Sequence, residues 1–199
     1  MHDKYSTPNN PFIIDIGCSK GMWATSYAQQ NPNENVLGVD IRQPVIDMAL
    51  ARCENMKLSN IHFLRSNANV DISKILAGIS DSCASGVEMI TIQLPDPYFK
   101  ARQHKRRLVN DGFIRSIVDG KIKVGTKIFL QTDVEELMVA MVEVLEASPL
   151  VTAAEGHCYT KTLRNPAPYD LPTEREISCA ENDNYNIYRL MVQTIGETQ

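Results

Sequence analysis

Phe12-Ile13-Ile14-Asp15-Ile16-Gly17-Cys18-Ser19-Lys20-Gly21 decides how this chain is built. The apolar run Phe12 to Ile16 reads as a β-strand, and the glycine-bearing turn after it lets backbone approach a ligand closely before a helix begins. Lys20 to Gln30 reads as that helix, with Trp23, Tyr27 and Ala28 on one side as core residues rather than base-stacking groups. Asn35 to Asp40 is a second strand that ends in Gly38-Val39-Asp40. An acidic side chain at that place accepts both hydroxyls of a ribose in nucleotide-binding sheets. The glycine turn and Asp40 together predict a nucleotide-like ligand, where the turn alone would be an ordinary β-α connection. A pyrophosphate cradle of the form G-x-G-x-x-G starting at Gly17 needs glycines where Ser19 and Met22 stand, so NAD is disfavoured.

Outward from this unit the alternation continues. Val45, Met48, Ala49, Cys53 and Met56 fall at helical spacing before a third strand from Ile61 to Arg65. Val87 to Leu94 and Gly125 to Thr132 read as the fourth and fifth strands. Leu108 to Val118 and Val134 to Ala147 read as helices, the latter with Leu137, Met141, Val144 and Leu145 inward. Strands alternating with amphipathic helices predict an α/β fold around a largely parallel sheet. The tail differs: after Pro166, Pro168 and Pro172, Tyr185 to Ile195 reads as a final strand with no room before it for a right-handed crossover helix.

With 199 residues and 43% hydrophobic content the chain suits one domain over 1–199, residues 1–11 forming a short lead. Five widely spaced cysteines without a C-x-x-C pair indicate neither a disulfide framework nor a zinc site, and point to a reducing intracellular compartment. No metal is expected, since His2, His62 and His157 have no ligand spacing. No apolar run has signal-peptide or membrane-spanning length, although a targeting segment removed ahead of Met1 is compatible with this start. The net charge is −4, yet Lys100, Arg102, Lys105, Arg106 and Arg107 concentrate five of the 20 basic residues in one short run. A basic island on an acidic body fits a localised polyanion contact.

That island follows Leu94-Pro95-Asp96-Pro97-Tyr98, at the carboxyl edge of the sheet where ligands of such folds bind. Pro95 and Pro97 stiffen the turn and fix the direction of Asp96. Standing alone it reads equally as a proline-rich surface turn.

The pattern D-x-G-x-x-x-G with the later Asp40 resembles the first two motifs of class I S-adenosylmethionine methyltransferases. The run P-D-P-Y-F-K-A-R-Q-H-K-R-R, with Gln131-Thr132-Asp133 and Pro172-Thr173-Glu174-Arg175-Glu176, resembles the tRNA (guanine-N7-)-methyltransferase family over nearly the whole chain. The resemblance implies a Rossmann-like class I fold, a seven-stranded mostly parallel sheet with an antiparallel last strand and helices on both faces. It implies S-adenosylmethionine at Asp15, Gly17, Asp40, Asn67 and Asp96, with Asp96 catalytic and Asn67 at the adenine edge. It places substrate contacts at Lys100, Asp133, Thr173, Glu174, Arg175 and Glu176, and RNA contacts at Arg102, Gln103, His104, Lys105, Arg106 and Arg107. The implied substrate is a variable-loop guanosine of tRNA. Ser19 departs from the family's second glycine, and the R-S-N-A run and Y-F-K turn stand nearer its eukaryotic or plastid branch, so cytoplasm, nucleus and plastid all stay open. So do a homodimer and a partner subunit.

Plainer roles are available for some of these residues. Asp133 reads equally as the N-cap of the helix from Val134, and Thr173 with Glu176 as a capping box. Two other functions stay in view. One is an amino-methyltransferase on an exocyclic base nitrogen, whose D-P-P-Y turn lacks the carboxylate found here in its middle. The other is a non-catalytic RNA-binding subunit.

Overall fold

The computed structural model describes residues 4–181 and 185–195; His2 and the first three residues of the expected lead lie outside them. β1 (Phe12–Ile16) is buried along its whole length, as is β2 (Asn35–Asp40). Such strands belong in the interior of a sheet covered on both faces. β3 (Ile61–Arg65), β4 (Val87–Gln93), β5 (Lys127–Thr132), β6 (Val151–Ala153) and β7 (Tyr188–Thr194) complete one sheet of order β3-β2-β1-β4-β5-β7-β6. β1 to β5 pair in parallel, and β7 runs antiparallel between β5 and β6. β7 is thus a last strand inserted next to the edge, reached without a crossover.

Side chains of β1 divide between two cores by the period of two that a strand imposes. Ile14 and Ile16 join Ile72, Ile114 and Met141, from α3 (Ala68–Ser82), α4 (Asp111–Val118) and α5 (Glu135–Glu146). Ile13 points the other way, to Trp23, Tyr27 and Ile46 of α1 (Met22–Gln30) and α2 (Gln43–Met56). The result is a three-layer sandwich with helices on both faces. Trp23 and Tyr27 are buried, and the Trp23 indole Nε1 donates to the Leu171 carbonyl at 3.1 Å, which ties the C-terminal loops to α1.

Several details depart from the sequence reading. α1 starts at Met22 rather than Lys20, because Ser19 (φ 50°) and Gly21 (φ 70°) are left-handed. Met48 and Met56 of α2 are exposed, and Ile46, Ala49 and Cys53 form its inner face. α3 and β6 add two elements, and a short helix α6 (Glu174–Cys179) precedes β7. The N-cap of α5 is Val134, not Asp133; Asp133 turns instead to Arg175, its Oδ2 accepting from the Arg175 Nε at 2.9 Å. All five cysteines are free thiols. Among the described residues no helix is long and apolar enough to cross a membrane.

Candidate active site

The carboxyl ends of the parallel strands bring Asp15, Gly17, Asp40, Asn67 and Asp96 to one rim of the sheet. Two clefts open there. One of about 300 Å³ is lined by Gly17, Asp40, Asn67, Pro95, Asp96 and Arg106. Its neighbour, of about 250 Å³, shares Gly17 and Arg42 with it and reaches Asp15, Thr173, Glu174 and Arg175. A third hollow of about 210 Å³ lies beyond, between Trp23, Tyr169, Gln131, Glu176 and Arg189, and Gln93 at the end of β4 borders all three.

The floor is built by the first turn. Gly17 has φ 80°, and a Cβ there would meet nothing within 4 Å, so its backbone faces open space where a ligand can lie against it. Gly21 and Gly38 serve another purpose: a Cβ on either would fall 2.4 or 2.3 Å from the Phe63 ring, so both glycines make room for that side chain under the turn. Ser19, in the place of a glycine, holds the left-handed conformation and donates its N–H to Asp40 Oδ2 at 3.1 Å.

The two acidic groups of this turn differ. Asp15 is enclosed, and burial pushes its carboxyl up to about 6, although Thr91 Oγ1 donates to it at 2.8 Å. Burial also raises Asp40, but the opposing contacts win and hold it below the ordinary carboxylate range. Those contacts come from Arg42, which donates its backbone N–H and Nε to Oδ1 at 2.9 and 3.1 Å and its Nη2 to Oδ2 at 3.0 Å, together with the Ser19 amide. The Arg42 side chain is 59% exposed. Asn67 caps α3, its Oδ1 accepting from the Asn69 N–H at 3.2 Å, and still borders the main cleft.

Asp96 stands exposed on the turn that forms the opposite wall. Leu94 (φ 53°) and Tyr98 (φ 46°) are left-handed on either side of it, an uncommon conformation for residues with large side chains and one found at functional turns. The Leu94 N–H donates to the Gln131 carbonyl at 2.7 Å and pins the start of the turn to β5. The 3-10 turn Ala101–Arg106 follows at once, with Arg102, Lys105 and Arg106 exposed and Gln103 and His104 half-buried.

These features can be set beside known proteins. Residues 9–190 match a family described as "Putative methyltransferase". A tRNA (guanine-N(7)-)-methyltransferase of Thermosynechococcus vestitus is 36% identical over 93% of this chain and 81% of its own length. The protein of that name from Synechococcus elongatus is 33% identical over 94% of this chain and 83% of its own. The chain belongs to the tRNA (guanine-N7-)-methyltransferase family. A SAM-dependent methyltransferase from Aquifex aeolicus, 10% identical, shares the fold with a TM-score of 0.56 over 94% of this chain and 85% of that one. The relatives quoted are bacterial and lend no support to a nuclear or plastid location.

For a tRNA (guanine-N7-)-methyltransferase the C-terminal motif takes an informative shape. Thr173 and Glu176 form a capping box on α6: the Glu176 N–H donates to Thr173 Oγ1 at 3.2 Å, and the Thr173 N–H to Glu176 Oε2 at 2.8 Å. Glu176 does more than cap. Its Oε2 accepts from Gln131 Nε2 and its Oε1 from Arg189 Nη2, both at 2.8 Å, while Arg189 Nε donates to Gln131 Oε1 at 2.9 Å. Burial raises the Glu176 carboxyl, and these bonds outweigh it, so the group stays ionised below its usual range. The start of α6 is thereby locked to β5 and β7. Glu174 and Arg175 line the second cleft with Thr173. Lys100 is exposed beside the turn.

Arg42, Gln93 and Arg189 belong to this site beyond the sequence motifs, and Gln131, within a motif, gains a role as partner of Glu176 and Arg189. Arg42, two residues past Asp40, is recognisable as a local partner; Arg189 meets Gln131 only through the antiparallel pairing of β5 with β7. Among the described residues no group of three His, Cys, Asp or Glu side chains is placed to hold a metal ion.

Proposed function

We propose that this chain transfers a methyl group from S-adenosylmethionine to N7 of a variable-loop guanosine in tRNA. The observation that supports it most is the junction of a nucleotide-sized cleft, floored by Gly17 and Asp40, with a rigid Asp96 turn that leads directly into an exposed basic segment. The residues present suit the cofactor. Gly17 leaves open space over its backbone, and Asp40 is an ionised acceptor for ribose hydroxyls once the exposed Arg42 side chain gives way. Asn67 stands where an adenine edge would be read, and Asp15 supplies negative charge on the side of the cationic methionine portion. When bound, S-adenosylmethionine supplies a methyl group activated by positive sulfur.

Guanine N7 has an unshared pair and no proton to lose, so the chain's task is placement more than base catalysis. Asp96 holds the base through its NH groups and offsets the positive charge that develops on the methylated ring. Thr173 and Glu176, bonded to each other and to Gln131 and Arg189, hold the segment that borders the guanosine, with Lys100, Asp133, Glu174 and Arg175 around it. The variable-loop base is engaged in tertiary pairing, so it must be loosened or turned out to reach the cleft. Arg102, Lys105 and Arg106 meet phosphates, which positions the RNA without reading its sequence. Gln103 and His104, half-buried, shape that segment.

Nucleoside mass spectrometry after incubation with unmodified tRNA and S-adenosylmethionine tests the reading, with 7-methylguanosine as the expected product. A methylated exocyclic amine would identify an amino-methyltransferase instead. No methylation, with tRNA still bound, would leave an RNA-binding subunit.

A further inference from the structure

Arg107 closes the basic run but does not share its setting. Its side chain is only 11% exposed, whereas Arg102, Lys105 and Arg106 face solvent. Its Nε donates to the Pro97 carbonyl at 2.9 Å, and its Nη2 donates to Glu136 Oε1 at 3.0 Å and lies 3.2 Å from His104 Nε2. Pro97 follows Asp96 directly. Glu136 is in the first turn of α5, the helix that leaves β5 after Gln131, Thr132 and Asp133. One guanidinium therefore links the reactive turn, the 3-10 segment and the first turn of α5.

Among the described residues, the Arg107 bond to Pro97 is the one hydrogen bond that reaches residues 95–99. Leu94 is pinned to β5 ahead of the turn, and prolines stiffen it internally, but nothing else of this kind fixes where it points. A guanidinium suits the task because its donors form a flat, rigid fork that sets two directions at once and never loses its charge. Glu136 offsets that charge, so the fork is directed inward rather than offered to a phosphate.

We propose that Arg107 is a positioning residue: it fixes the Asp96 turn against α5 and makes no phosphate contact. This rests on the reading that Asp96 meets the reacting base. Without the clamp the turn keeps its fold but loses its direction, and a displacement of about 1 Å at a reacting group costs on the order of 100-fold in rate.

Single-turnover methylation at saturating tRNA and S-adenosylmethionine, together with tRNA affinity measured across a salt series, tests the proposal. Arg107→Ala and Arg107→Lys should both lower the single-turnover rate by about 10- to 100-fold, with the tRNA dissociation constant and its salt slope as in the wild type. Lysine is informative because a point charge serves a phosphate well but cannot reproduce the fork. If Arg107→Lys restores the rate and Arg107→Ala flattens the salt slope by about 0.7 to 0.9, the residue binds phosphate and the proposal falls. Glu136→Ala gives a second reading on an exposed residue that is safe for folding. A loosened clamp slows transfer by about 3- to 10-fold, whereas tighter tRNA binding at an unchanged rate would overturn the proposal. Asp96→Ala separates the underlying reading: a wild-type rate there removes the catalytic role of Asp96, while an inactive Asp96→Ala beside fully active Arg107 variants removes the clamp alone.

Discussion

Asp15 and Asp40 show how two carboxylates on paired strands acquire opposite tendencies. Asp15 is raised to about 6 from an ordinary 3.8, so the folded chain holds its proton more tightly than the unfolded one. Its contribution to stability is therefore complete below pH 3.8 and is lost as pH rises through about 6. Asp15→Asn, which still offers an acceptor to Thr91, should lack this slope and be more stable than the wild type by about 2 to 3 kcal/mol at pH 7, with no advantage at pH 3.5, by chemical denaturation. Asp40 shows the opposite balance, with Arg42 and the Ser19 amide already holding it ionised. Asp40→Ala should weaken S-adenosylmethionine binding by about 1.5 to 3 kcal/mol, the value of a hydrogen-bond acceptor that carries charge. Titration calorimetry on the folded variant reads this directly, and an unchanged affinity would remove the ribose site from β2. Both acids were legible in the sequence because each sits at the end of a short strand with strong local signals. The Arg42 contact was legible only as a nearby cation, since nothing in the sequence says that it folds back rather than extends into solvent.

At the scale of elements, β1, β2 and β3 begin and end where the sequence places them, because their apolar runs are bounded by turns. α3 escaped because Asn67 reads as a loop residue, although Ile72, Ile75, Leu76 and Ile79 repeat at helical spacing behind it. β6 is three residues long and has no pattern of its own; its pairing with β7 defines it. The fit of α1 and α2 around β2 and β3 depends on Phe63 lying over Gly21 and Gly38. Gly38→Ala should cost about 1 to 3 kcal/mol of stability through overpacking, and Phe63→Leu in the same chain should recover part of it. Full stability of the single variant would show that the ring moves aside freely. The capping box of α6 makes a contrasting case. Thr173→Ala should cost about 1 kcal/mol as a lost cap, and Glu176→Gln weakens the bond to Arg189. If this motif also meets the guanosine, the methylation rate should fall by about 10-fold or more in each, beyond what the loss of cap accounts for. Normal turnover with a lower melting temperature would leave Thr173 and Glu176 as structural residues only. The motif itself was legible, but its anchorage to Gln131 and Arg189 was not, because those partners come from strands far apart in the chain.

Over the whole molecule, an acidic body with one exposed cationic segment should attract RNA to a single face. Replacing Arg102 and Lys105 with Ala should weaken tRNA binding and flatten the slope of log affinity against log salt by up to about 2 units, since each phosphate contact contributes about 0.7 to 0.9. S-adenosylmethionine affinity should stay near the wild-type value. A slope identical to the wild type would mean that the segment is merely solvated and that phosphates are held elsewhere. Arg107 is left out of this pair because its geometry is internal.

β7 is the last of the seven strands to leave the ribosome, yet it lies between β5 and β6 and supplies Arg189 to Glu176. Until it arrives, β5 presents an open edge, β6 lacks the strand it pairs with, and Glu176 lacks its bond to Arg189. Assembly of the sheet therefore waits for β7, and a nascent chain halted before it has its glycine turn in sequence but an unfinished sheet. Such a fragment leaves the β5 edge open to pairing with other chains until β7 covers it.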